Sequence, residues 1–351
     1  METYKLRLQN IRQLLADQGI DALLVTYPAN RRWLSGFRGS SGRLIITSKQ
    51  AVLATDSRYW EQAQTQAPDF ELFKDRRRHE DTVELLKQIG VERIGFEAHH
   101  VSVAEFDDLA RIDGVTWVPM DRPIEPFRQV KTDSELKTIR AAAAIADQAM
   151  SLVPQFAVQG ISERALAWEL EKTMRESGAD GVAFDTIVAF GSNSALPHYR
   201  PDDRILHLGD IILVDMGADL NGYKSDMTRT FFLGVPEDER FLTIFNLVNS
   251  ALNETMGKLK PGVNSKEAHQ MAIDIIDEGG YRESFSHGLG HGVGLDIHEA
   301  PWLSVTRPPV ELAPGMAITV EPGIYLPGWG GVRIEDLILI TETGSETLSH
   351  Y

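Results

Sequence analysis

Apolar residues recur at helical spacing over residues 5–18 (Leu8, Ile11, Leu15), and Ala22-Leu-Leu-Val25 follows unbroken, predicting an amphipathic helix that feeds a buried strand over 22–27. Apolar runs at 44–47 and 51–54 predict a strand pair. Helical stretches near 57–66, 80–89 and 102–111 alternate with strand-like 93–97 and 115–118, the pattern of an α/β unit of about one domain's length. Pro123 and Pro126 interrupt both helix and strand ladders, which places a linker at 123–131 between domains spanning 1–122 and 132–351.

Beyond that linker the pattern changes. Thr132-Asp133-Ser134-Glu135 supplies capping chemistry for a helix whose apolar side is Leu136, Ile139, Ala143, Ala146 and Met150. A second helix starts near Ser162, with Leu166, Leu170 and Met174, and strands follow at 186–190 and 211–215. After Pro236 the order repeats: one helix with Phe241, Ile244 and Val248, another with Ala268, Met271 and Ile275, then strands carrying acids. The expected class is α+β, two structural pseudo-repeats forming the C-terminal domain.

Length and charge narrow the function. At 351 residues two sizeable cores are possible, and a net charge of −16 argues against nucleic acid and anionic membrane as partners. With no cysteine, any metal must be held by carboxylate oxygen and imidazole nitrogen. No apolar run approaches the ~20 residues that span a bilayer, and the first residues lack a signal-peptide core, so a cytoplasmic location is expected.

The candidate chemistry lies in that second domain. Asp215 and Asp226 flank Asn221-Gly222, a two-residue hairpin signal. That turn pairs residues whose numbers sum to 443, so Asp215 faces Thr228 and Gly217 faces Asp226. Both carboxylates then share one face; Gly217 is expected to leave space open and Thr228 to hydrogen-bond a ligand carboxylate. A solvated hairpin face is the plainer reading, but 211–214 is apolar throughout, as in a strand covered on both faces. Glu321 and Glu335 flank a longer connection with its midpoint at residue 328, which sets them opposite each other unless the register is off by one.

His287-x-x-x-His291 has the spacing of a helical zinc motif, but it lacks the adjacent glutamate. Glycines at 288, 290, 292 and 294 disfavour a helix, so a loop is expected there. Any one histidine is more often structural. The set argues otherwise: Asp215, Asp226, His291, Glu321 and Glu335 can hold two divalent ions, +4 against −4 from the acids. Such a pair lowers the pKa of a shared water and polarises a carbonyl, and oxygen-rich ligation leans to manganese, iron or cobalt, with zinc an alternative.

Together, Ala195-Leu-Pro-His198, Leu213-Val-Asp215-Met-Gly217, Ser225-Asp226-Met-Thr228-Arg-Thr230, His287-Gly-Leu-Gly-His291, Asp296-Ile-His298-Glu299, Glu321-Pro-Gly-Ile-Tyr325 and Arg333-Ile-Glu335 resemble the pita-bread metallopeptidases of the proline-specific branch, prolidase and aminopeptidase P. The motifs follow the family's order through the C-terminal two-thirds. The resemblance implies a pita-bread catalytic domain behind a creatinase-like N-terminal domain, and it makes the same five residues ligands of a dinuclear centre. His198 and His298 would contact the scissile carbonyl or oxyanion, Glu321 would shuttle a proton from the attacking water, and His287 and Arg333 would support the pocket. It also implies a homodimer whose N-terminal domains close the partners' sites. Trp33 and Arg38 are candidates for that role, although packing or solvated roles are the favoured reading for both and for Arg58.

The expected reaction is hydrolysis of the Xaa-Pro bond of dipeptides or short peptides, aminopeptidase P on longer substrates being the alternative. Methionine aminopeptidase and creatinase resemble the same fold. The N-terminal domain argues against the first, and the complete ligand set against the metal-free second. A non-catalytic peptide-binding module would be marked by lost ligands, and all five are present.

Overall fold

The protein is described from a computed structural model covering residues 2–76, 79–236 and 238–351, and it divides into two units, Met1–Arg128 and Gln129–Tyr351. In the first, strands β1 (Ala22–Val25), β2 (Arg43–Thr47), β3 (Ala51–Thr55), β4 (Glu71–Lys74), β5 (Arg93–Glu97) and β6 (Thr116–Met120) form one mixed sheet in the order β4-β3-β2-β1-β5-β6. All four residues of β1 are buried, as the unbroken apolar run requires of a strand covered on both faces. Helices Glu2–Gln18, Trp60–Gln66, His79–Ile89 and Val103–Ala110 answer to the predicted helical stretches.

One expectation for this unit holds and one changes. Trp33 is buried, its ring under the Arg7 guanidinium at 4.3 Å, so packing claims it. The prolines at 123 and 126 do not mark an exposed spacer: Glu125–Arg128 is a short helix with Ile124 fully buried before it. Arg58 chelates Asp56, and the Arg38 amide donates to Gln66 Oε1 at 2.9 Å.

The second unit opens on Asp133–Met150, whose N-cap Thr132 and Glu135 form a reciprocal capping box. That helix and Glu163–Glu176 pack their apolar sides on β8 (Ile187–Phe190) and β9 (Ile211–Met216) through Ala142, Ala146, Leu166, Leu170, Val188 and Val214; β7 is Gly181–Val182. Helices Arg240–Met256 and Ser265–Glu278 cover a second core with Ile318, Val320, Ile338 and Ile340. Helix, helix, strands thus occurs twice.

Past β9 come β10 (Ala218–Leu220), β11 (Tyr223–Lys224) and β12 (Met227–Phe232). The predicted register holds: Thr228 faces Asp215, Asp219 faces Lys224, and every pair sums to 443. Asn221 and Gly222 both take positive φ, 49° and 75°, as the tight hairpin turn demands. Gly217, however, opens no space, because a Cβ there would run into the Ser225 carbonyl oxygen of the returning strand. The site-bearing strands that follow are β13 (Gly290–Gly292), β14 (Glu299–Leu303), β15 (Ala317–Val320), β16 (Gly323–Leu326), β17 (Gly330–Arg333), β18 (Asp336–Ile340) and β19 (Ser345–Thr347).

His291 sits on β13, not in a loop. The glycines that make the segment a poor helix let it lie between β14 and β15, where a Cβ at Gly290 would collide with the Thr319 carbonyl. The β16–β17 ladder has its midpoint at residue 328, but it ends at Gly323 and Arg333. Glu321 and Glu335 then part: the Glu321 amide donates to Leu289 O and the Glu335 amide to Thr228 O. Neither ladder therefore has to hold two like charges directly opposite each other.

Candidate metal centre

Asp226, His291 and Glu335 bring one donor atom each to within 4.8 Å of one another, and all three are buried. Glu321 joins them, its Oε1 3.4 Å from His291 Nε2, and Asp226 Oδ2 lies 3.6 Å from the same nitrogen. His291 Nδ1 faces the Gly292 carbonyl at 3.1 Å. A carbonyl only accepts, so Nδ1 carries the proton and the Nε2 lone pair is turned toward the acids. Thr319 fixes the pair from below, accepting the His291 amide at 3.0 Å and donating to Glu321 Oε1 at 3.2 Å.

Asp215 completes the set differently. Its Oδ2 is held by Arg333 Nη2 at 2.6 Å, while its Oδ1 is buried without a hydrogen-bond partner among the described residues. Arg333 also donates from Nε to Thr228 Oγ1 at 3.1 Å and from Nη1 to the Tyr325 hydroxyl at 2.8 Å. Thr228 Oγ1 in turn donates to Glu335 Oε2 at 2.6 Å, which is the support expected of it. Arg229 bridges the carbonyls of Thr228 and Glu335 from behind, at 3.0 and 2.6 Å.

Burial sets the electrostatics. Asp226 and Glu335 are pushed well above the usual carboxylate range by desolvation and by neighbouring acids, and Glu321 is pushed up to about 8. His287 and His291 are held neutral, lowered to about 3 chiefly by burial. Four carboxylates beside one guanidinium cannot all ionise here unaided. Crowded acids, an imidazole lone pair and an orphaned carboxylate oxygen are the donor set that two hard or borderline dications satisfy.

These groups line one cleft of about 500 Å³, with His198, His287, His298, Arg200, Trp302 and Arg307. The five candidate ligands and His198, His287, His298 and Arg333 all line this cleft, and Thr228 lies directly behind it. The His298 ring meets that of His291 edge-on at 4.4 Å, and burial lowers its pKa. His287 donates from Nδ1 to Gly288 O, so its Nε2 accepts the Tyr325 hydroxyl at 2.9 Å.

Tyr325 and Thr319 were not predicted. Glu321 falls between β15 and β16, strands of different sheets, so alternation along one strand does not reveal either residue. Trp302 and Arg307, with the guanidinium 5.3 Å over the indole, had no signal either.

Residues 137–342 match the profile of metallopeptidase family M24, and residues 7–130 that of the creatinase/prolidase N-terminal domain. The peptidase YqhT of Bacillus subtilis strain 168 is 41% identical over 98% of each chain. Among solved structures, an Xaa-Pro dipeptidase from Bacillus anthracis superposes with a TM-score of 0.96 at 38% identity, covering 99% of this chain and 98% of that one. An X-Pro aminopeptidase from Thermotoga maritima MSB8 gives a TM-score of 0.90 at 34% identity, covering 98% and 97%.

Proposed function

The chain belongs to metallopeptidase family M24, with that family's pita-bread domain behind a creatinase-type N-terminal domain, and we propose that it is a prolidase hydrolysing Xaa-Pro dipeptides with two divalent ions. The observation that carries this reading is the convergence of Asp226, His291, Glu335, Glu321 and the unpartnered Asp215 oxygen on one cleft. Two dications bound by these five residues would supply an acidified water and a polarised carbonyl. Manganese suits the oxygen-rich set, with cobalt, iron or zinc as alternatives. A homodimer, on the family resemblance, and a cytoplasmic location, on the sequence pattern, belong to the same reading; no described helix is long and apolar enough to cross a membrane.

The chain's own residues divide the remaining work. Glu321, ionised once cations are bound beside it, takes a proton from the attacking water and returns it to the proline nitrogen as the C–N bond breaks. His298, kept neutral by burial, and His198, both at the cleft wall, donate hydrogen bonds to the oxygen on which charge develops. Proline lacks an amide N–H, so none needs a partner at that position.

Substrate length is read from the cations. Three arginines line the cleft; Arg333 is committed to Asp215, and Arg200 pairs with Asp185 at 3.6 Å. Arg307, stacked on Trp302 at the cleft, is the cation we assign to a free carboxylate, which a dipeptide carries immediately after the scissile bond. The greater similarity to the Bacillus anthracis dipeptidase than to the Thermotoga maritima aminopeptidase supports the same choice. Metal-stripped protein reloaded with manganese, cobalt or zinc and assayed on Gly-Pro and Ala-Pro-Gly tests it. Turnover of Gly-Pro with little on the tripeptide is expected. Faster tripeptide cleavage would make it an aminopeptidase P, and silence on both a binding module.

A further inference from the structure

The helix Glu163–Glu176 begins with a carboxylate that is fully buried, an unusual place for an acid in a first turn. Ser162 caps this helix, its Oγ accepting the Ala165 amide at 3.2 Å, so Glu163 is not needed for that task. It accepts four donors instead. Oε1 takes the Phe190 amide at 2.7 Å and Asn193 Nδ2 at 3.0 Å; Oε2 takes the Tyr199 hydroxyl at 2.9 Å and the Asp202 amide at 3.2 Å. Burial raises its pKa against these donors, and four donors around two oxygens fit the ionised form.

All four donors belong to one stretch. Phe190 ends β8, which is paired through Ile187 with Asp215, and Asn193, Tyr199 and Asp202 bracket the segment that carries His198 into the cleft. Tyr199 is locked twice more: its ring packs on Ile187, Ala189 and Leu213, and its hydroxyl also accepts Asn193 Nδ2 at 2.7 Å.

We propose that Glu163 is a positioning residue for the peptidase reaction, clamping the 193–202 segment to the end of β8 so that His198 is held at a fixed place relative to Asp215. This rests on the proposed contact of His198 with the reacting carbonyl. Glu163 touches neither substrate nor metal ligand, and it acts through Tyr199 and the backbone on either side of His198.

A double-mutant cycle on the manganese-loaded enzyme with Gly-Pro tests it. Glu163→Gln keeps the shape but turns an NH2 toward two of the four donors. His198→Ala should lower kcat by about 10²-fold, the scale of a lost hydrogen bond to developing charge. Glu163→Gln should lower kcat by about 10-fold or more with KM and metal content little changed, the scale of a displaced catalytic group. The double variant should be no slower than His198→Ala. Losses that multiply, or an unchanged kcat in Glu163→Gln, overturn the inference. A harmless His198→Ala removes the underlying reading and the clamp with it, an outcome recognisable because the reference variant keeps its rate. Should Glu163→Gln fail to fold, Tyr199→Phe keeps the ring and deletes the hydroxyl; its smaller loss in kcat must also vanish in the His198→Ala background, and additive losses overturn the proposal.

Discussion

Arg333 Nη2 lies 2.6 Å from Asp215 Oδ2, and the same guanidinium reaches Thr228 and Tyr325 with its other nitrogens. One rigid fork thus fixes a carboxylate on β9, a hydroxyl on β12 and a phenol on β16. A lysine keeps the charge but has no fork with which to reach three partners at once. Arg333→Lys is expected to lower kcat/KM on Gly-Pro by about 10–100-fold, the usual range for losing an orienting partner of a metal ligand. Steady-state kinetics with metal analysis checks it, and a wild-type rate would show that charge alone suffices.

Metal binding should release protons. Glu321 is lifted from 4.5 to about 8, so at pH 7 the metal-free protein holds a proton there that a bound cation must displace. Between those values the folded chain binds more protons than the unfolded one, so this group's stabilisation is lost as pH rises through 8. His287 and His291, lowered from 6.5 to about 3, act in the opposite sense, but only below 6.5. From pH 6.5 to 8 the acids are therefore isolated from those two imidazoles. The gain in Tm on adding manganese should grow across that window, and calorimetry in buffers of different ionisation enthalpy should find about one proton or more released per subunit. Glu321→Gln should flatten both trends.

How much of this was legible depended on how local the cause was. The 443 register follows from Asn221-Gly222, two adjacent residues whose backbone preference sets the pairing of the strands on either side. The midpoint at 328 follows in the same way. By contrast, the Arg333–Asp215 and Arg7–Trp33 contacts join residues 118 and 26 positions apart, and no periodicity encodes them. The burial of Trp33 agrees with its favoured reading as a packing residue, but its partner Arg7 was not legible. The glycines around His291 disfavour a helix and so point to a loop, whereas β13 needs glycine so that neighbouring backbones can approach. The four partners of Glu163 were out of reach for the same reason as Arg333's.

Gly290 makes that last point measurable. A Cβ would strike the Thr319 carbonyl and press on the hydroxyl that joins His291 to Glu321. Gly290→Ala is expected to cost about 1–3 kcal/mol, the usual range for overpacking, and to lower metal content. Gly344→Ala, where a Cβ meets nothing within 4 Å, should stay within about 0.5 kcal/mol of wild type. Denaturant unfolding of both variants, with metal analysis, separates close approach from a general intolerance of alanine.

Lys131 and Glu299 form an ion pair at 2.9 Å with side chains only 2% and 6% exposed, and Glu299 adjoins His298. Two charges this deep are stable only together: removing one leaves the other buried without its counter-charge, at a typical cost of about 3–5 kcal/mol. Lys131→Met should therefore destabilise the protein by that amount in urea. Replacing both partners, as Lys131→Met with Glu299→Leu, should recover most of the loss, because two apolar groups of similar volume need no counter-charge. If the single variant costs under about 1 kcal/mol, water reaches the pair and it behaves as a surface bridge. If the double variant is as unstable as the single, Glu299 is held by its other neighbours rather than by Lys131. Recovery of stability without recovery of kcat would show that the charged pair also sets where His298 stands.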